Sequence, residues 1–179
     1  MIATSVISPF LVPLKILLMA AFLIALPVVL YQVWAFVAPG LYSHEKRLVL
    51  PLVVASTLLF LIGVAFCYYF VFGQVFQFIQ SFAPKSITAA PDIEAYLSFV
   101  LSMFLAFGVA FEVPIAVVVL ARMGVVTIEK LKSFRGYFVV GAFVVAAIVT
   151  PPDVVSQLAL AIPMCLLYEL GIIAARLFI

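Results

Sequence analysis

Apolar residues run along this chain in long blocks separated by short polar punctuation. Five blocks, 15–38, 48–72, 95–121, 137–150 and 154–175, read as helical spans of a bilayer. A helix needs roughly 20 apolar residues to cross a ~30 Å hydrocarbon layer. Four blocks meet that length. The block 137–150 is short, and it reads as a short true span rather than a re-entrant piece, because this gives the loops around it the simplest sidedness. Outside the spans, residues 5–13 (SVISPFLVP) are apolar and broken by proline, which suits a segment lying in the outer interface. Residues 127–134 (TIEKLKSF) place Ile128, Leu131 and Phe134 on one face behind Thr127 as N-cap, a short interfacial helix. Residues 81–94 read as a polar outer loop.

Composition makes lipid the solvent. The chain has 179 residues, 69% of them hydrophobic and 9% charged, whereas soluble domains are about half apolar and about a quarter charged. The expected class is an all-α polytopic membrane protein. A net charge of +2 without a dense basic run argues against nucleic acid. Cys67 and Cys165 fall inside apolar stretches with no metal-type spacing, so they read as packing thiols. Lys46, Arg47, Arg122, Lys130, Lys132, Arg135 and Arg176 fall on one side of the predicted bilayer, and only Lys15 and Lys85 on the other. Basic residues collect on the cytoplasmic side. The first and third loops and the C-terminus are therefore expected inside. Five spans then put the N-terminus outside, yet residues 1–14 lack a signal-peptide shape. The expectation is a chain missing an upstream span.

Polar residues inside the apolar blocks are the candidate chemistry. Glu112, in FGVAFEVP, lies deep in the third block with no basic partner within the spans. A mid-span acid costs on the order of 3 kcal/mol, so a wet cavity, a polar partner or another subunit is expected beside it. A protonated, hydrogen-bonded structural glutamic acid is the alternative. Thr150, Asp153, Ser156 and Gln157, in TPPDVVSQ, form the turn between the last two blocks. Ordinary capping accounts for Asp153, while Gln157 can hydrogen-bond a neighbouring helix. Glu169 reads as a snorkelling side chain. In the loop PGLYSHEKR, Glu45 could hold a guanidinium through two hydrogen bonds, or pair locally with Lys46 or Arg47. His44 beside it reads as solvated. Pro27, Pro51, Pro114 and Pro163 lie within spans and are candidates for bends that would curve the bundle. No nucleotide, metal or nucleophile–base pattern occurs.

The strings YQVWAFVAPGLYSHEKR, DIEAYLSFV, FGVAFEVP and GAFVVAAIVTPPDVVSQLALAIP, in that order, resemble the TatC family of twin-arginine translocases. The resemblance runs over nearly the whole chain and is closest to bacterial members. It implies a concave, glove-like bundle, here five helices of the family's six, forming a single domain without its first helix. It implies a non-enzymatic receptor and scaffold in the bacterial inner membrane. Such a receptor needs no cofactor or metal and binds twin-arginine signal peptides of folded cargo for export driven by the proton gradient. By the same resemblance Glu45 and Phe36 read the signal peptide, and Glu112 faces the groove. Thr150 and Gln157 meet TatA- and TatB-type single-span partners, and Asp153 is an outer-hairpin acid needed for transport. Self-association within the complex is expected as well. The rival reading is a proton-coupled secondary transporter using Glu112, against which the lack of internal repeats and of a second mid-membrane charge both count.

Overall fold

A computed structural model describes residues 6–37, 39, 46–73, 77, 93–150 and 154–178. The elements named among them are helical: α1 (Ser8–Ile24), α2 (Leu26–Val37), α3 (Lys46–Phe66), a π-helical turn (Cys67–Val71), α4 (Ile93–Ala110), α5 (Val113–Arg122), α6 (Ile128–Ser133), α7 (Arg135–Val149) and α8 (Val154–Phe178). The all-α expectation holds. Leu50–Val71, Ala95–Arg122 and Val154–Leu177 are long and apolar enough to cross a membrane, and the pair α1–α2 qualifies when taken together. The 15 residues of α7 reach only ~22 Å at 1.5 Å per residue.

The prolines behave differently from one another. Pro9 sits in the first turn of α1, where a missing N–H costs no hydrogen bond. The helix then continues through Pro13, so the segment expected to lie broken in the interface is instead helical from Ser8. Pro51 and Pro163 are carried inside α3 and α8. The block 15–38 is not one rod: α1 and α2 are bent by 66° at Ala25. Pro27 cannot donate to the carbonyl four residues before it, and the chain turns there. Before Pro114 the ladder tightens, with the Glu112 N–H donating to the Val109 carbonyl at 3.0 Å, and α4 gives way to α5.

Helix α3 packs on α4 and α2, and α8 packs on α5 and α7. The α3–α4 crossing is close because of glycine: a Cβ at Gly63 would lie 2.5 Å from the Phe107 carbonyl oxygen. Leu26, Leu30, Trp34, Phe60 and Val119 knit α2, α3 and α5 into one cluster. A larger one joins the π-helical turn, α4, α7 and α8 around Phe107, Met103 and Leu160. The outer surface is apolar, with Leu17, Ile24, Val28, Leu61, Ile148 and Leu166 exposed, as expected where lipid is the neighbour.

Candidate functional site

The polar residues of the bundle interior gather in three places. The first is centred on Glu112, at the N-cap of α5 with no side-chain capping bond. Both carboxyl oxygens are buried and make no hydrogen bond among the described residues. Ser56 of α3 is the hydroxyl that faces the carboxyl, although the two fall short of hydrogen-bond geometry. Ser56 is fully buried and accepts a hydrogen bond from Trp34 Nε1 of α2 at 3.0 Å. Thus α2, α3 and the α4–α5 break each bring one polar side chain to a shared apolar interior. The proline after Glu112 and the glycine at the α3–α4 crossing explain how: one interrupts the helix at the acid, the other lets α3 approach it. Burying a polar group without a partner is costly, so this carboxyl is open to a donor supplied from outside the chain. The sequence marked Glu112; it gave no sign that Trp34 and Ser56 would join it.

The second place is the junction of α7 and α8. Thr150, buried at the C-cap of α7, donates through Oγ1 to the Ala146 carbonyl. Gln157, in the first turn of α8, donates through Nε2 to the Phe143 carbonyl at 3.2 Å, tying α8 to α7. Ser156 is buried beside it. The structure brings Thr150 and Gln157 to one junction, with each side chain hydrogen-bonded to a carbonyl of the chain itself. Asp153 lies outside the described residues.

The third is the end of the molecule that carries Arg122. Thr127 caps α6 as expected, accepting from the Lys130 N–H at 3.2 Å. Leu131 is buried, and its carbonyl accepts a 2.7 Å hydrogen bond from the Tyr168 hydroxyl of α8. The Tyr168 ring stacks on Phe138 of α7 with centroids 4.1 Å apart. Glu169 is not a lone snorkelling acid; it pairs with Arg135 at 2.6 Å. Tyr168 therefore locks the α6–α7 connection onto α8, a role no motif announced, because its partner lies 37 residues away. At the same end of the bundle Phe36, near the end of α2, is 88% exposed while Trp34 is buried. Glu45 and His44 lie outside the described residues.

Near the Thr150 end, Lys15 of α1 donates to Ser98 Oγ of α4 at 2.8 Å. Cys67 and Cys165 are both unpaired, and Cys67 sits within the large core cluster. No group of three or more potential metal ligands occurs among the described residues.

A sequence model of the Sec-independent protein translocase protein (TatC) matches residues 1–163. The chain belongs to the TatC family. The Sec-independent protein translocase protein TatC of Halothiobacillus neapolitanus is 54% identical over 99% of this chain and 49% of its own length. The TatC proteins of Haemophilus influenzae and Escherichia coli K12 are each 52% identical, with 70% and 69% of their lengths covered. The chain thus spans about half the length of the first of these relatives and a little over two thirds of the other two. Two crystal structures of the twin-arginine translocase receptor TatC share the fold at 45% identity. One, in DDM, has a TM-score of 0.82 and the other 0.80, and each is covered over 78% of its length. With its apolar helices, TatC membership makes this a multi-pass membrane protein.

Proposed function

We propose that this chain is the signal-reading part of a twin-arginine translocase, a transport receptor and scaffold rather than a catalyst. Similarity across almost the full chain to structures of a twin-arginine translocase receptor carries the reading. Phe36 adds to it: a large aromatic side chain left 88% exposed at a helix end is suited to the apolar part of a docking peptide. In this reading the loop that carries Glu45 faces the cytoplasm with Arg122, Arg135 and the C-terminus, in the inner membrane of a bacterium. Glu45 holds the paired arginines through charge-assisted hydrogen bonds. The peptide's apolar segment then runs along the bundle towards Glu112. TatA- and TatB-type single-span helices dock at Thr150 and Gln157, Asp153 serves the outer hairpin, further copies of the receptor join the complex, and the proton gradient drives export.

The test uses the full-length protein in membranes, with a photoreactive twin-arginine peptide as probe. Glu45→Gln is expected to cut crosslinking by at least about tenfold, matching the roughly 1.5–3 kcal/mol of a hydrogen bond to a charged group. Crosslinking at the wild-type level in that variant removes Glu45 from the site. A proton-coupled transporter remains the second reading, favoured by the unpartnered Glu112 carboxyl. Proton-driven solute uptake into vesicles that disappears in Glu112→Gln is the outcome that replaces the receptor reading with it.

A further inference from the structure

A groove of about 450 Å³ lies between α3, α5 and α8. Pro51 and Leu59 mark its ends on α3, Pro114 and Arg122 on α5, and Leu167 and Ala174 on α8. Seven or eight residues of helix separate each pair of ends, so the groove runs ~10–12 Å along the helix axes. Its walls are half-buried for the most part, which leaves one side open to the bilayer. Every lining residue is apolar except Arg122. That arginine closes the end where α5 stops and α3 begins. Arg47 is exposed one helical turn before Pro51, on the same stripe of α3. Glu169, adjacent in sequence to the lining residue Leu170, is occupied by Arg135 at 2.6 Å. The groove is therefore an apolar slot along the helix axes, cationic at one end and with no acid among its described lining residues.

We propose that the groove holds one acyl chain of an anionic glycerophospholipid from the leaflet at the Arg122 end, with Arg122 and Arg47 gripping the headgroup phosphate. At ~10–12 Å the slot takes the headgroup-proximal part of a chain that fills roughly half of a ~30 Å hydrocarbon core, and it runs along the helix axes, as such a chain would. The charge at its mouth selects among headgroups, since basic pockets between membrane helices retain anionic lipids. Arg122 already has an interaction within the chain, but a guanidinium carries five N–H donors, more than a single partner uses. The assignment is independent of which face of the membrane that end occupies and of whether the chain reads signal peptides.

Native mass spectrometry of the full-length protein, titrated with dioleoyl phosphatidylglycerol or dioleoyl phosphatidylcholine, tests the site. Wild type is expected to retain the phosphatidylglycerol at least about fivefold better, since each of the two basic side chains contributes roughly 1 kcal/mol near an anionic headgroup. Arg122→Gln is expected to lower that ratio, and Arg122→Gln combined with Arg47→Gln to bring it close to one. Ala55→Trp and Val118→Phe fill the slot and are expected to reduce retention of both lipids, each variant being first shown to keep its helical signal. A photoreactive residue at Leu59, in phosphatidylglycerol vesicles containing a twin-arginine peptide, is expected to label lipid. Equal retention of the two lipids by wild type overturns the assignment, as does a preference unchanged in Arg122→Gln. Labelling of the peptide in place of lipid overturns it as well and makes the slot a peptide site.

Discussion

Glu112 and the Thr150–Gln157 pair occupy comparable positions, polar groups within apolar helices, and the structure treats them in opposite ways. At the α7–α8 junction each polar side chain closes onto a backbone carbonyl of the chain itself. Around Glu112 three helices converge, and among the described residues the carboxyl still makes no hydrogen bond. The first arrangement is internal adhesive, which holds two helices together. The second leaves a buried acceptor open. Docking of a partner helix at Gln157 therefore has to exchange one hydrogen bond for another, whereas a donor reaching Glu112 displaces nothing. A polar residue in a membrane helix can meet either fate, and only the surrounding packing decides which.

Four substitutions can break or sharpen that contrast, read as thermal unfolding of the purified protein in detergent. Gly63→Ala attacks the α3–α4 approach that walls in Glu112. Its new methyl meets the Phe107 carbonyl, and a loss of about 1–3 kcal/mol is expected from overpacking. An unchanged midpoint would show that the two helices have room to part. Glu112→Leu is expected to act in the other direction, gaining about 1–2 kcal/mol by removing an unsatisfied buried group, while transport of twin-arginine cargo is lost. A fall in the midpoint would mean that the carboxyl has a stabilising partner after all. Trp34→Phe takes away the donor to Ser56 and is expected to cost about 1 kcal/mol; no change would remove the Trp34–Ser56 bond from the set of stabilising contacts. Gln157→Leu is expected to cost about 0.6 kcal/mol, the typical value of an interhelical bond in membranes. A gain in that variant would put Gln157 in the same class as Glu112 and end the contrast.

The amino-acid pattern carried the helical class, the apolar blocks, the short penultimate helix, the Thr127 cap and the isolation of Glu112. Each follows from local hydropathy, from a capping residue, or from a count of charges within a block. What it did not carry is equally instructive. Four prolines in the spans looked alike, yet α3 and α8 absorb Pro51 and Pro163, whereas the chain turns sharply before Pro27 and breaks before Pro114. In membrane helices, neighbouring groups can satisfy the carbonyl that a proline orphans, so the outcome depends on tertiary surroundings. The Tyr168–Leu131 and Trp34–Ser56 bonds join residues 37 and 22 positions apart, and no periodicity encodes them. Glu169 read as a solitary interfacial acid because its partner, Arg135, sits on another helix. The lipid slot is likewise a property of three helices and of none singly.

The elbow at Ala25 bears on how the protein fits its bilayer. End to end, the 17 residues of α1 and the 12 of α2 would form a rod of ~43 Å, well beyond a ~30 Å hydrocarbon core. Folded by 66°, with α2 upright, the first arm rises only ~10 Å and the pair spans ~28 Å. For α2 along the bilayer normal, an elbow of this angle removes the excess length by geometry instead of by tilting the whole element or stretching the lipid around it. The same elbow sets the arm that carries Lys15 against α4, so its ammonium meets the Ser98 hydroxyl where a straight rod would have steered it elsewhere.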